Sequence, residues 1–441
     1  MKNGKTRLME NRPYRVLLHA MTFQRDFALA YILSQILETM GCECLIANNA
    51  TLHAKYFKLW KPNAVFLVTL THAKHINASY PEAKLFLWAA EGGYAESEEL
   101  SIIGDEVLEN LPMRVFLWGN GTLEAAREKI KKLKLSTTES SFFLDKCSIM
   151  GNPRMDLCKF RPHTKKSEHD KIKIGFIGNF YYINNIKRHP FDMILNYEFA
   201  TPRNTKNLPE MLFQIQQIKT FCDLIHDLGH DKYAFSLRPY PLENIENYAA
   251  ATKNNTPALE IGDEIDFVSW MAKQDILIGA TSTTIAQIAT MGKPYINIDK
   301  LDKRPDRQYD RQIDRGLKNN KPATYPELLA MISDYKKHTL NNPVIQDHIK
   351  LYHNEPQEGS TILKVARDIH TNLKKAPKAS SGIISTKLAA RFDKMWCAYL
   401  ERKAKKELRC DYSYFNAARI IPRAAREFMP LVENILKTIE H

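Results

Sequence analysis

The stretch DILIGATSTTIAQIATMGKPYINID, residues 275–299, reads as strand, turn, helix, strand. Ile276 to Ile278 make a short apolar run closed by Gly279, and Tyr295 to Ile298 make another, as strands buried on both faces of a parallel sheet do. Between them, Ser282, Thr283 and Thr284 offer capping hydroxyls to a helix with Ile285, Ile288 and Ala289 on one face, and Gly292 and Pro294 stop it. Hydroxyls and backbone N–H groups then gather beyond the carboxyl end of a strand, where open α/β sheets hold anionic ligands. An ordinary capped βαβ unit has the same outline, so the flanking sequence has to decide.

Upstream, KIKIGFIGNF (171–180) is a strand running into a turn, and a long helix is expected over roughly 209–228, followed by YAFSLRPYP (233–241) and ALEIG (258–262). Helices follow to about Leu373. The N-terminal part repeats the alternation: RVLLHA (15–20), a helix over about 25–40 ending at Gly41, then CECLIAN (42–48), AVFLVT (64–69), KLFLWAA (84–90) and RVFLWG (114–119). CSIMGNPRMD (147–156) closes that half. This spacing implies βαβ crossovers and doubly wound sheets. The expected fold is α/β: two Rossmann-like domains facing a cleft, as in the glycosyltransferase B architecture, plus a C-terminal helical extension. The domains span 1–157 and 171–375, joined by a polar linker at 160–170. APKASSG (376–382) is a spacer, and residues 383–441 form a basic helical extension with Leu388, Phe392, Trp396 and Leu400 at helical spacing.

Composition bounds the partners. The chain has 441 residues, 44% hydrophobic and 26% charged, which is globular and too long for one ordinary domain. A net charge of +13 favours a polyanionic partner or anionic surface, although a solvated basic surface gives the same total. The seven cysteines are odd in number and lack CxxC or Cys/His ligand spacing, so they read as reduced thiols. The polar N-terminus has no apolar leader core, and no apolar run approaches the roughly 18 residues of a membrane span. The expectation is a cytoplasmic protein, soluble or peripheral at the inner face of the cell membrane. Aromatics are not interleaved with the basic residues in a recognisable platform, so no nucleic acid is expected.

Candidate chemistry falls on strand-end loops. Arg238 directly follows a strand and is held by Pro239 and Pro241, so it either grips a phosphate or is a surface arginine in a rigid turn. Gly178 and Asn179 sit in a small turn where backbone can approach a donor phosphate, and a plain tight turn has the same signature. Glu91, in WAAEGGYAE, ends a strand before two glycines and is the candidate general base, or else a strand-end glutamate. His19 ends the first strand, as a cleft-lining residue or a structural one. Arg154, after Pro153, lines the cleft or pins the interdomain linker. No DxD-like pair stands at a strand end, since GDE (262–264) and DKRPD (302–306) read as loops; neither a metal nor another cofactor is expected.

Taken together, GNPRMD, RPYPLEN, DILIGATSTT with its helix and MGKPYINI, and the EGG turn resemble the bacterial surface carbohydrate biosynthesis proteins. These are glycosyltransferase-B-like and similar to transferases that use CMP-activated acidic sugars such as Kdo and sialic acids. The resemblance spans roughly 15–373. It implies that Arg238, Pro239, Tyr240 and Pro241, with Ser282, Thr283 and Thr284, hold the donor phosphate, and that Glu91 serves as base. Tyr240 stands where a histidine is usual and Gln287 where an acidic residue is more common. Tyrosine donates a hydrogen bond to phosphate but adds no positive charge at neutral pH.

The implied reaction moves a sugar from a nucleotide-activated donor, held by the C-terminal half, to a surface polysaccharide acceptor, which can be lipid-linked, on the N-terminal half. A carboxylate acting as nucleophile, with retention, stays open. Two other classes remain: a polyol-phosphate transferase of the teichoic-acid type, and a non-catalytic carbohydrate- or nucleotide-binding protein with a degenerate site. The tail either meets an anionic membrane surface through Lys403, Lys405, Lys406 and Arg409 or packs Trp396, Tyr399 and Leu400 back on the body or on a second subunit.

Overall fold

The structure, a computed structural model, describes residues 13–69, 72–88, 111, 113–132, 134, 136, 141, 144–161, 171–185, 207–241, 243–248, 250, 259–302, 311–353, 359–375, 382–406 and 417–438. The chain divides into two compact units. One holds, among the described residues, those up to Asp156 and those from Leu351 onward, and the other those of Leu157–Lys350.

The first unit begins β1 (Tyr14–His19), α1 (Phe23–Thr39), β2 (Cys42–Ala47), α2 (Lys55–Trp60), β3 (Ala64–Leu67), α3 (Ala73–Ser79) and β4 (Lys84–Trp88). It continues with β5 (Met113–Leu117), α4 (Asn120–Lys132), β6 (Cys147–Ile149) and α5 (Pro153–Lys159), whose last residues fall in the second unit. The strands form a parallel sheet in the order β2-β1-β3-β4-β5-β6. All four residues of β3 are buried, because helices cover both faces of the sheet. Leu17, Phe57, Trp60, Val65, Leu87 and Val115 make up much of one side of the core. On α1, Phe27, Tyr31, Ile32 and Leu33 are buried, and Gly41, at φ +84°, lets the chain turn out of the helix as the sequence requires.

The second unit contains β7 (Ile172–Ile177), α6 (Asn207–Leu228), β8 (Tyr233–Arg238), β9 (Leu259–Ile261), α7 (Phe267–Ala272) and β10 (Ile276–Gly279). After these come α8 (Ile285–Thr290), β11 (Tyr295–Asn297), α9 (Arg311–Gly316), α10 (Tyr325–Ser333) and α11 (Pro343–His348). Its sheet is again parallel, in the order β11-β10-β7-β8-β9. Ile174, Phe176, Phe235, Ile276, Ile278 and Ile296 are buried in its core, and Phe176 stacks on Phe221 of α6 at 4.3 Å between ring centroids. The opening stretch folds as read, strand to helix to strand. One detail differs: α8 starts at Ile285, and its N-cap Thr284 makes no side-chain capping bond. The Ser282 hydroxyl instead accepts the Thr284 N–H.

Residues 351–375, expected with the second domain, lie in the first unit. The reason is α12 (Thr361–Lys374), whose apolar face of Ile362, Val365, Ala366 and Ile369 is buried and packs against α1. Asp368 on this helix also pairs with Arg114 of β5, Oδ2 to Nε at 2.6 Å. The tail, α13 (Thr386–Lys406) and α14 (Ala417–Lys437), packs on the same unit. Ala389, Asp393 and Cys397 of α13 are buried; Tyr56 donates to Asp393 at 2.8 Å and Trp60 to Thr386 at 2.8 Å. Phe428 of α14 is buried and meets Tyr31 of α1. Residues 162–170 of the linker and 376–381 of the spacer lie outside the described residues. Among the described residues no helix is long and apolar enough to cross a membrane.

Candidate functional site

In the second unit the strand order reverses between β7 and β10, and a crevice forms at the carboxyl ends of strands that part in this way. Gly279 pairs with Ile177, so the turns that follow the two strands start side by side. Gly178 and Asn179 follow β7, and Thr281 to Thr284 follow β10, so the structure brings together two of the turns expected to hold the phosphate. A Cβ on Gly178 would lie 2.9 Å from the Phe180 ring, which explains the glycine. The second turn is held from behind. The Thr281 N–H donates to both carboxylate oxygens of Asp299, at 3.1 and 3.2 Å, and Asn297 Nδ2 donates to Thr281 Oγ1 at 2.9 Å. Ser282 Oγ and Thr284 Oγ1 lie 2.5 Å apart, and Ser282, Thr283 and Thr284 are all half-buried.

Arg238, the last residue of β8, is buried. Its Nη1 donates to the carbonyl of Glu264 at 3.0 Å and to that of Gly262 at 3.4 Å, and lies 3.7 Å from Glu264 Oε2. Glu264 also accepts from Lys273 Nζ at 2.6 Å. The guanidinium therefore orders the loop after β9 and shares its charge with a carboxylate. Tyr240 is 38% exposed, with its ring edge-on to Tyr181 at 6.4 Å. Gln287 is buried on α8.

Two residues that sequence reading passed over build this site. Glu243, the glutamate of RPYPLEN, is buried and accepts the Phe180 N–H and, at 2.6 Å, the Tyr248 hydroxyl. It ties the turn after β7 to the segment after β8. Burial pushes its carboxyl up to about 7, against the opposing pull of those hydrogen bonds. Asp299 likewise ties down the turn after β10, by accepting the Thr281 N–H. The available signal was position: each is an acidic residue a few places beyond a strand.

In the first unit His19 is fully buried at the end of β1, with Nε2 2.7 Å from Asn49 Oδ1 and its ring edge-on to His72 at 5.6 Å. Burial lowers its pKa to about 4, with His72 pushing the same way and the Asn49 contact opposing, so the imidazole is neutral at pH 7. Arg154 stands on the turn that begins at Gly151, where φ is +108°. Its guanidinium lies 5.6 Å from the Trp118 ring and 3.8 Å from Asp26 Oδ1. Asn152 of the same motif accepts the Arg154 N–H at 3.0 Å and contacts His353 Nδ1 at 2.8 Å. Glu91 lies outside the described residues.

No protein-family model and no curated protein matches this chain. Solved structures do. A structure of the wall teichoic acid polymerase TagF is 12% identical over 83% of this chain and 90% of its own, with a TM-score of 0.53. Another, soaked with CDPG, is 11% identical over 83% and 90%, with a TM-score of 0.51. S. aureus MnaA with UDP is 13% identical over 83% and 99%, at 0.47. The TagF likeness establishes the fold: two Rossmann-like units of the glycosyltransferase B type, with helices at the C-terminal end.

Proposed function

We propose that this chain is a glycosyltransferase that takes a sugar from a nucleotide-activated donor for a surface polysaccharide acceptor. The observation that carries the reading is the pairing of two turns at the β7/β10 crevice. Ser282 and Thr284 share one hydroxyl proton between them and leave the other to donate there, and the turn at Gly178 and Asn179 supplies backbone close by. Hydroxyl and backbone donors held in place suit a phosphate and cost little reorganisation as charge develops on it. Because α8 is only six residues long, the hydroxyls rather than a helix dipole carry the grip. Arg238 holds the loop after β9 against the site, Tyr240 lies at its edge, and Thr283 completes the turn. Glu91 is the proposed base toward the acceptor, and no metal is assigned.

The donor we favour is a CMP-linked acidic sugar, because GNPRMD, RPYPLEN and the Ser/Thr turn follow that family's pattern. A polyol-phosphate donor is the second reading, supported by the fold shared with a TagF structure soaked with CDPG. Thermal shifts with CMP, CDP, UDP and GDP separate the two. Binding to the folded state alone raises stability with the logarithm of concentration over affinity. CMP is expected to stabilise most, and Ser282→Ala with Thr284→Ala to weaken it about tenfold, the worth of a hydrogen bond to a charged group. Preference for CDP favours the polyol reading, and no response to any nucleotide sinks the transferase.

An anionic membrane surface is part of the proposal. On α13, Leu388, Phe392, Met395, Trp396 and Tyr399 are exposed along one face, 38 to 60% each, while the docked face is a separate stripe. Exposed Lys387, Arg391, Lys394 and Arg402 flank them. Aromatic rings beside basic side chains suit the interface of an anionic bilayer. The protein should sediment with vesicles containing phosphatidylglycerol and not with neutral ones, and Trp396→Ala with Tyr399→Ala should lower the bound fraction severalfold. Equal binding to both vesicle types removes this element.

A further inference from the structure

The segments that follow β7 and β8 also leave the sheet side by side. Ile177 pairs with Arg238, and the Gly178 N–H donates to the Arg238 carbonyl at 3.1 Å, on the side of β7 away from β10. The two segments then stay joined. The Asn244 N–H donates to the Asn184 carbonyl at 2.9 Å, Asn184 Nδ2 to the Asn244 carbonyl at 3.1 Å, and Asn247 Nδ2 to Asn184 Oδ1 at 2.7 Å. An antiparallel bridge links Asn185 to Glu243, whose buried carboxyl accepts the Phe180 N–H.

This frame sets aromatic rings beside the turn at Gly178. Tyr181 is half-buried and Tyr240 is exposed, and their rings meet edge to face, 6.4 Å between centroids and 75° between planes. Tyr182 adds a third ring, 5.3 Å from that of Tyr181. Aromatic surface that the frame has already ordered can be covered by a ligand at little further cost in conformational entropy. Tyr240 carries no positive charge at neutral pH, so what it offers an anionic nucleotide is a ring and a hydroxyl. The reach also fits. Tyr181 follows Gly178 by three residues, so chain length holds their Cα atoms at most about 11 Å apart. In a nucleotide a single ribose separates phosphate from base.

We infer that the base of the donor nucleotide stacks on the ledge formed by Tyr240 and Tyr181, while its phosphate lies in the turns at Gly178 and Ser282. The inference rests on the nucleotide-donor reading and deepens it. Among the groups of an activated donor the base is the flat, π-rich one, and it gains most from an aromatic ledge. Because every base has a π face, the ledge supplies affinity and leaves the choice of base to polar contacts.

The test compares CMP with ribose 5-phosphate, which keeps the phosphate and the sugar but lacks the base. Dissociation constants of both are measured by isothermal titration calorimetry on the full chain, for wild type, Tyr240→Ala, Tyr181→Ala and Tyr240→Phe. Tyr240→Ala is expected to weaken CMP about tenfold and to leave ribose 5-phosphate within about twofold, with Tyr181→Ala moving in the same direction. Tyr240→Phe should keep the CMP affinity, since the ring makes the contact. Circular dichroism verifies that each variant is folded. Three results overturn the ledge and leave the nucleotide site standing: CMP affinity unchanged in both alanine variants, equal losses for the two ligands, or a loss in Tyr240→Phe as large as in Tyr240→Ala. Failure of CMP to bind the wild type removes the nucleotide reading itself, and the ledge with it.

Discussion

Replacing Asp156 with alanine is expected to destabilise the first unit by about 3–4 kcal/mol. Asp156 is fully buried, and its carboxylate takes the Ser360 hydroxyl at 2.6 Å, the Thr361 N–H at 3.2 Å and the Ile362 N–H at 2.7 Å. These donors form the first turn of α12, where backbone N–H groups have no partner within the helix. Ser360 is itself the N-cap and accepts the Leu363 N–H at 3.1 Å. Alanine leaves three buried donors unmet at about 1–3 kcal/mol apiece, only part of which water recovers, and removes a negative charge favourable to the helix terminus. Asparagine keeps one acceptor oxygen and should cost about half as much. Urea unfolding gives both numbers, and proteolysis in the α12 segment should accelerate in parallel. A loss below about 1 kcal/mol for alanine would mean that the apolar face of α12 docks without the cap.

The reach of that single carboxylate explains what sequence could and could not deliver. The strands were legible because each is a short apolar run bounded by glycine or polar residues; β1 falls within a residue of the reading RVLLHA, and β7 starts one residue into KIKIGFIGNF. Periodicity reports which face an element buries, but not what it is buried against. The return of residues 351–375 to the first unit sets the apolar face of α12 on α1 and brings Ser360 to Asp156, a pairing over 204 positions that no local pattern encodes. The site shows the same division. Gly178, Ser282 and Thr284 were readable as strand-end turns, whereas Glu243 and Asp299, which hold those turns, act through tertiary contacts. Arg238 was readable as a strand-end arginine, yet its bonds to the carbonyls of Gly262 and Glu264 appear only once β8 and β9 are paired. In the first unit, His19 and Arg154 were recognisable singly, and only the strand order sets them on one recess with Trp88 and Trp118.

Glu243 carries the other large effect, and it appears as pH dependence. Its folded carboxyl titrates at about 7 against an ordinary 4.5 because desolvation outweighs the Tyr248 and Phe180 hydrogen bonds. A raised carboxyl pKa means that the folded chain holds the proton longer than the unfolded chain does. Below pH 4.5 both states are protonated and no stability is lost. As the pH rises from 4.5 to 7, the unfolded state ionises first and folding loses about 1.4 kcal/mol per unit, reaching about 3 kcal/mol above pH 7. The wild-type profile obscures this, because His19 is shifted down to about 4 and gains stability between about pH 4 and 6.5. Glu243→Gln isolates the term, since glutamine keeps the shape, one acceptor and no titration. The unfolding free energy of wild type minus that of Glu243→Gln, from urea titrations across pH 4–8, should fall by about 3 kcal/mol through the 4.5–7 window and level off above it. A difference independent of pH would mean that the carboxyl is already ionised at its ordinary value, its two donors having prevailed over burial. The fall, if measured, would establish that the turn at Gly178 and Asn179 is anchored by a group that changes charge near neutrality.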